Sequence, residues 1–208
     1  MSTPCHKSCK RYWFIVGLAA MLVGGVSVAD EPPAINPFGN RPRVREDSVP
    51  GYIEMSDGTV YPGHIYLTRD MRLKIYDGKL KRQREVPLDK IKAIECEVDR
   101  EWMEKEWRFR ENANDQKVYT GRQYPARVYL HTIVLKDGRK IRGPMSGIIY
   151  VQQEGKAARR FLLHKRQKGS VGQKLKSLVY VRSVQLGPEA FKRGTKLALE
   201  QAGDRPKH

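Results

Sequence analysis

The chain has 208 residues, 39% hydrophobic and 30% charged, with 40 Lys and Arg against 23 Asp and Glu for a net charge of +17. That balance excludes a disordered chain, fits one ordinary domain or two small ones, and makes polyanions the natural partners.

Residues 1–29 have the pattern of a Sec-type signal peptide. Lys7, Lys10 and Arg11 precede an uncharged run from Tyr12 to Ala29, and Ser27-Val28-Ala29 offers small residues ahead of Asp30. An uncleaved membrane anchor is the competing reading, since the run approaches bilayer-spanning length. Cleavage would take three of the 40 basic residues and none of the 23 acidic ones, leaving a strongly basic chain. Cys5 and Cys9 would leave with it, so Cys96 would be a lone thiol, read as a small core residue.

Asp30 to Pro50 carries five prolines and mixed charge, and is expected to be an extended arm in which Asn36-Pro37-Phe38-Gly39 makes a turn. A feature that organises the rest then occurs twice. Ile53 to Asp57-Gly58, with Gly63 five residues on, returns 80 residues later as Ile133 to Asp137-Gly138 with Gly143. Asp-Gly between alternating apolar residues closes a tight hairpin, so two copies of one β unit are expected.

The first unit is placed at 51–98. Its strands are a hairpin about Asp57-Gly58 with Gly63 as a bulge or bend, Arg72 to Tyr76 with Leu73 and Ile75 inward, Gln83 to Val86, and Ile91 to Glu97 after a short 3₁₀ turn at Pro87 to Lys90. This plan resembles small SH3-like or Sm-like barrels, and the resemblance rests on Asp57-Gly58, Gly63 and the run from Val86 to Ile91. It implies architecture and no particular ligand.

Between the units, 99–127 is expected to hold an amphipathic helix, starting at Val98 and running to Ala113, then a polar loop to Arg127. Val98, Trp102, Phe109 and Ala113 share a helical stripe, and Glu101 with Lys105, Glu104 with Arg108 and Glu106 with Arg110 are spaced i,i+4. Trp102 and Trp107 either pack this helix across the two barrels or form an aromatic contact surface. The second unit is placed at 128–187, with Ile133 and Leu135 as the inward pair. A C-terminal helix from Pro188 to Gln201 and a frayed tail complete 188–208. The fold expectation is therefore mainly β: two SH3-like or Sm-like barrel units joined by an amphipathic helix, with a short C-terminal helix.

Charge asymmetry marks the candidate binding site. Between Gly155 and Pro188 nine basic residues occur with no acidic one, among them Arg159, Arg160, Lys165, Arg166, Lys168, Lys174 and Lys176. A solvated face and an anion-binding or partner-binding surface are the two readings, and the clustering of like charge favours binding. No catalytic residue, metal ligand or cofactor is assigned. His64, His131, His164 and His208 have no metal-binding spacing, no nucleophile motif occurs, and Asp57 and Asp137 are read as turn residues.

As a whole the chain resembles exported bacterial proteins of unknown function. They share an Asn36–Gly39-like turn, an Asp57-Gly58 unit, a Glu101–Trp107-like helix and an Asp137-Gly138 unit. The group implies no activity. The expected function is an exported, non-enzymatic module that contacts an anionic envelope polymer or a protein partner through its basic surface. An Sm-like RNA binder is the alternative, followed by a wall-polymer enzyme built on a histidine and a carboxylate.

Overall fold

The computed structural model describes residues 44–69, 71–110 and 115–203, all within one compact unit spanning Asn40–His208. In chain order the strands are β1 (Val49–Met55), β2 (Val60–Tyr66), β3 (Leu73–Asp77), β4 (Arg82–Val86), β5 (Ile91–Phe109), β6 (Lys117–Leu135), β7 (Lys140–Gly143), β8 (Gly147–Gln152), β9 (Arg159–Leu163), β10 (Arg166–Lys168) and β11 (Val181–Leu186). Turns of 3₁₀ type at Leu88–Lys90 and Leu175–Ser177 precede β5 and β11, and α1 (Pro188–Gly203) follows. The described chain is thus mainly β with one C-terminal helix. The expected signal peptide, most of the Pro-rich arm with its Asn36–Gly39 turn, and the tail beyond Gly203 lie outside the described residues.

Both Asp-Gly pairs close hairpins with the same chemistry. Asp57 Oδ1 accepts from the Thr59 amide at 2.9 Å and Asp137 Oδ1 from the Arg139 amide at 3.0 Å. Gly58 and Gly138 both take φ +86°, the left-handed conformation that an Asp-Gly turn demands of its glycine. The pairing is regular through Gly51↔Gly63 in one hairpin and His131↔Gly143 in the other.

Gly63 is therefore not a bulge. A Cβ there would lie 2.6 Å from the Gln152 carbonyl oxygen of β8, and one at Gly143 would lie 1.7 Å from the Tyr76 carbonyl oxygen of β3. Each glycine is required because another strand passes close by its α-carbon.

The long sheet has the order β10-β6-β5-β11-β1-β2-β8-β9, with β7 also on β6, and β3-β4 forms a second, two-stranded sheet. Strands assigned to the two expected units are interleaved: β2 pairs with β8, and β1 and β5 both pair with β11. Hydrogen bonds from Tyr76 N to Pro144 O and from Gly78 N to Arg142 O, both 3.2 Å, tie β3 to the end of β7. One main apolar core results, drawing Ile53 and Ile65 from the first hairpin, Ile75 and Ile91 from the middle, and Ile133, Ile149 and Val184 from the second half. Burying these side chains contributes about 2 kcal/mol each, so neither half would keep its core alone.

The amphipathic helix expected from Val98 to Ala113 does not form. Those residues continue β5 to Phe109, and the polar loop expected up to Arg127 is β6 from Lys117 onward. The i,i+4 ion pairs read from sequence are replaced by cross-strand ones: Glu101 meets Arg127 and Glu106 meets Arg122, each at 2.8 Å. Val, Trp, Phe and Tyr side chains suit a pleated ribbon, and opposite strand β6 supplied hydrogen-bond partners that no local pattern announces.

Helix α1 packs on the first hairpin. Gly194 sits against the Tyr52 ring, with Ala190 and Leu197 beside it, and Gln201 Nε2 donates to the Gly58 carbonyl at 2.6 Å.

Candidate functional site

Strands β5 and β6 run together far beyond the core as a two-stranded ribbon. On one face Trp102, Glu104 and Glu106 are half-buried; on the other Met103, Trp107, Phe109 and Tyr119 are exposed. This alternation is what strand geometry imposes on successive side chains. Trp102 lies under Arg166 and Trp107 under Lys117, and the two rings make no contact with each other. Lys117 Nζ lies 4.4 Å from the centre of the Trp107 ring, and Phe109 meets that ring edge-on at 5.1 Å.

The basic segment is laid along the outer edge of β6. Lys165 O accepts from Tyr129 N at 3.1 Å, β10 pairs with Ala126 to Val128, and Gly169 and Gly172 donate to the carbonyls of Pro125 and Gln123 at 2.8 and 2.9 Å. Arg127 then pins the following 3₁₀ turn from below. Its Nη1 and Nη2 donate to the carbonyls of Leu178 and Leu175, both at 3.1 Å, while its Nε donates to Glu101. A segment rich in glycine and like charge is held in one conformation by these bonds.

The structure divides the seven candidate basic residues. Arg166 donates to Glu104 at 2.5 Å and stacks over Trp102, and Lys168 lies 3.7 Å from the same carboxylate and against Tyr124. Glu104 is held below the usual carboxylate range: partial desolvation opposes its ionisation but is outweighed by hydrogen bonds from Arg166 and Tyr124 and by the charges of Arg166 and Lys168. Arg159 covers the Tyr61 ring at 5.2 Å. Among the described residues no carboxylate comes within ion-pair range of Arg160, Lys165, Lys174 or Lys176, all of them exposed. Arg160 lies on β9 and Lys165 just before β10, whereas Lys174 and Lys176 lie at the 3₁₀ turn that Arg127 holds.

Enzymatic chemistry finds no constellation among the described residues. His131 is fully buried with neither ring nitrogen hydrogen-bonded, and desolvation, helped by nearby His164, lowers its pKa to about 4. His64 packs against Phe191 with ring centres 6.1 Å apart. Burial pushes the Cys96 thiol up to about 12, with Glu97 adding to the effect, so it is no nucleophile at neutral pH. No group of three metal-ligating side chains occurs among the described residues. A cleft of about 480 Å³ between the β2–β3 connection and Pro87–Asp89 is lined by Asp47, Leu67, Thr68, Arg72, Leu88 and Asp89. No helix among the described residues is long and apolar enough to cross a membrane.

Fold and surface together define a basic, mainly β module with a projecting ribbon and a cationic strip at the ribbon's base. No family model, no curated protein and no solved structure matches the chain.

Proposed function

We propose that this chain is an exported, non-enzymatic binding module whose cationic strip, Lys165, Lys174 and Lys176, grips an anionic envelope polymer. The observation that carries the reading is selective compensation. Glu104 offsets one of the two charges of Arg166 and Lys168, whereas among the described residues Lys165, Lys174 and Lys176 have no carboxylate in ion-pair range and are exposed. Uncompensated cations of this kind are available to an anion, and the backbone that carries them is tied down by β6 and Arg127. Export rests on the N-terminal pattern, and N-terminal sequencing of protein from its own cells should begin at Asp30.

The finer architecture that supports this reading is a pair of small SH3-like or Sm-like barrels with exchanged strands. Strands β1, β2, β8, β9 and β11 would form one, and β3 to β7 the other. Each would take its Asp-Gly hairpin from one copy of the repeat and its remaining strands from the other, with a 3₁₀ turn before the closing strand. The pairings of β2 with β8 and of β3 with the end of β7 support that assignment. RNA is the second reading, favoured by the Sm-like strand plan alone.

Retention on dextran sulfate tests the proposal. Changing Lys165, Lys174 and Lys176 together to Glu should move elution to clearly lower salt and reduce the log–log salt slope by roughly three. Reversing Lys192, Arg193 and Lys196 on α1 makes the same change in net charge and should leave elution close to wild type. Equal effects of the two triple variants would overturn the proposal, and polyuridylate outcompeting dextran sulfate would favour RNA.

A further inference from the structure

Although the 3₁₀ turn at Leu175–Ser177 packs near β5 at the ribbon's base, the outer edge of β5 carries no strand partner along the ribbon. Strand β11 covers it only at Ala93 to Glu95, and among the described residues no backbone hydrogen bond reaches that edge beyond this point. After the bulge between Val98 and Arg100, β5 runs without an inserted residue from Arg100 to Lys105. An isolated two-stranded ribbon is marginal in water, and an unprotected edge is a template for another strand.

We propose that this edge pairs with the same edge of a second copy, antiparallel, with the two-fold axis at Met103, giving a four-stranded sheet β6-β5-β5-β6 across the dimer. Identical antiparallel edges can meet only with a residue opposite its own copy, because outward-pointing and inward-pointing backbone groups alternate along the strand. That leaves registers two residues apart, and side-chain charge chooses among them.

With Met103 opposite itself, Glu101 faces Lys105 and Trp102 faces Glu104, each pair occurring twice within the regular stretch, and Arg100 falls opposite Glu106, which sits at the next irregularity and already binds Arg122. No like charges oppose. Centring on Glu104 sets that carboxylate against its copy and Arg100 against Arg108. Centring on Lys105 sets Lys105 against its copy and Glu104 against Glu106. Centring on Trp102 relies on Asp99, the residue displaced at the bulge, and on a ring already covered by Arg166.

The Met103 register also uses what the monomer leaves open. Met103 is 38% exposed and would meet its copy directly. Among the described residues Lys105 has no carboxylate in ion-pair range, and Arg100 has only its neighbour Asp99 at 3.6 Å. Glu101 keeps nearly half its side chain exposed beside Arg127, so it can accept a second cation. Opposite charges directly across an antiparallel pair stabilise it, and like charges oppose it.

Sedimentation of protein purified from its own cells tests the proposal. A concentration-dependent dimer should appear at or below 100 µM, and Lys105→Glu and Glu101→Lys should each weaken it at least tenfold. An equimolar mixture of the two variants should restore dimer to within about threefold of wild type, since the heterodimer opposes only unlike charges. Thermal melts establish that each variant is folded. In a Cys96→Ala background, Met103→Cys should form an intermolecular disulfide under mild oxidation, and Trp102→Cys should not, because opposed residues alone lie within disulfide reach. A protein monomeric at 100 µM, a dimer indifferent to Lys105→Glu, a mixture that fails to recover, or faster cross-linking at position 102 would each overturn it.

Discussion

Lowering the pH from 7.5 to 5.0 should weaken the fold through one side chain, His131. It lies between Cys96 of β5 and Gly143 of β7, fully buried, with neither ring nitrogen hydrogen-bonded. Its ordinary pKa of 6.5 falls to about 4 in the fold, chiefly by desolvation. The unfolded chain thus takes up a proton that the folded one refuses, and stability falls as pH drops through 6.5 and levels off below 4. At pH 5 the unfolded histidine is almost wholly charged and the folded one almost wholly neutral, a loss of about 2 kcal/mol relative to pH 7.5. Carboxylates whose pKa values are lowered in the fold, such as Asp137 and Glu104, add their losses mainly below pH 5, outside this interval. Neighbouring His164, whose own pKa is lowered by desolvation, contributes in the same direction. Urea denaturation of wild type and His131→Leu isolates the term: the wild-type midpoint should move down by about 1 M between the two pH values, and the variant's by less than half as much. Leucine also removes two unsatisfied polar atoms, so the variant should be no less stable than wild type at pH 5. Equal losses in wild type and variant would show that His131 does not carry the pH dependence.

Three further outcomes follow from the packing and the charge network. Gly143→Ala places a methyl 1.7 Å from the Tyr76 carbonyl oxygen, so β3 and β7 must separate at a cost of about 3 kcal/mol or more, against about 1 kcal/mol for Gly58→Ala, where only the backbone conformation is strained; urea midpoints compare them. Gly194→Ala drives a methyl to 2.4 Å from Tyr52 Cβ and should loosen α1 from the first hairpin, seen as faster proteolysis within residues 188–203 with the remainder protected. Glu104→Gln releases Arg166 and Lys168 from their shared carboxylate, so retention on dextran sulfate should shift to higher salt and its log–log slope should steepen by roughly one.

Short-range chemistry carried the parts of the fold that the chain announces on its own. Asp57-Gly58 and Asp137-Gly138 needed only turn geometry, Leu73 and Ile75 only the period of two, and Pro188 with Gly203 only the rules for helix ends. The 80-residue spacing set the phase of β6, where Tyr129, His131, Ile133 and Leu135 point inward and Val128, Leu130 and Val134 do not. The same residues between Val98 and Phe109 that suit a helical stripe also suit a ribbon with one half-covered face. Residues spaced i,i+4 also share one face of a strand, and the choice between the two lay with β6, whose partners lie from 8 (Phe109↔Lys117) to 31 (Val98↔Tyr129) positions away.

The candidate site divides in the same way. A run without acidic residues from Gly155 to Pro188 marked the cationic segment from composition alone. Which of its charges remain available depended on Glu104, more than 50 residues earlier, and on Tyr61 and Trp102 as stacking partners, because ion pairs and ring contacts form between elements that only the sheet order brings together. By itself, then, the sequence determined a basic, mainly β chain, its two Asp-Gly hairpins and its closing helix, all properties of local backbone preference and net charge. Tertiary structure alone decided that the Trp-bearing segment is a ribbon, that the strands of the two halves interleave around one core, and which lysines face solvent unpaired, since each of these depends on hydrogen bonds and contacts between residues far apart in the chain.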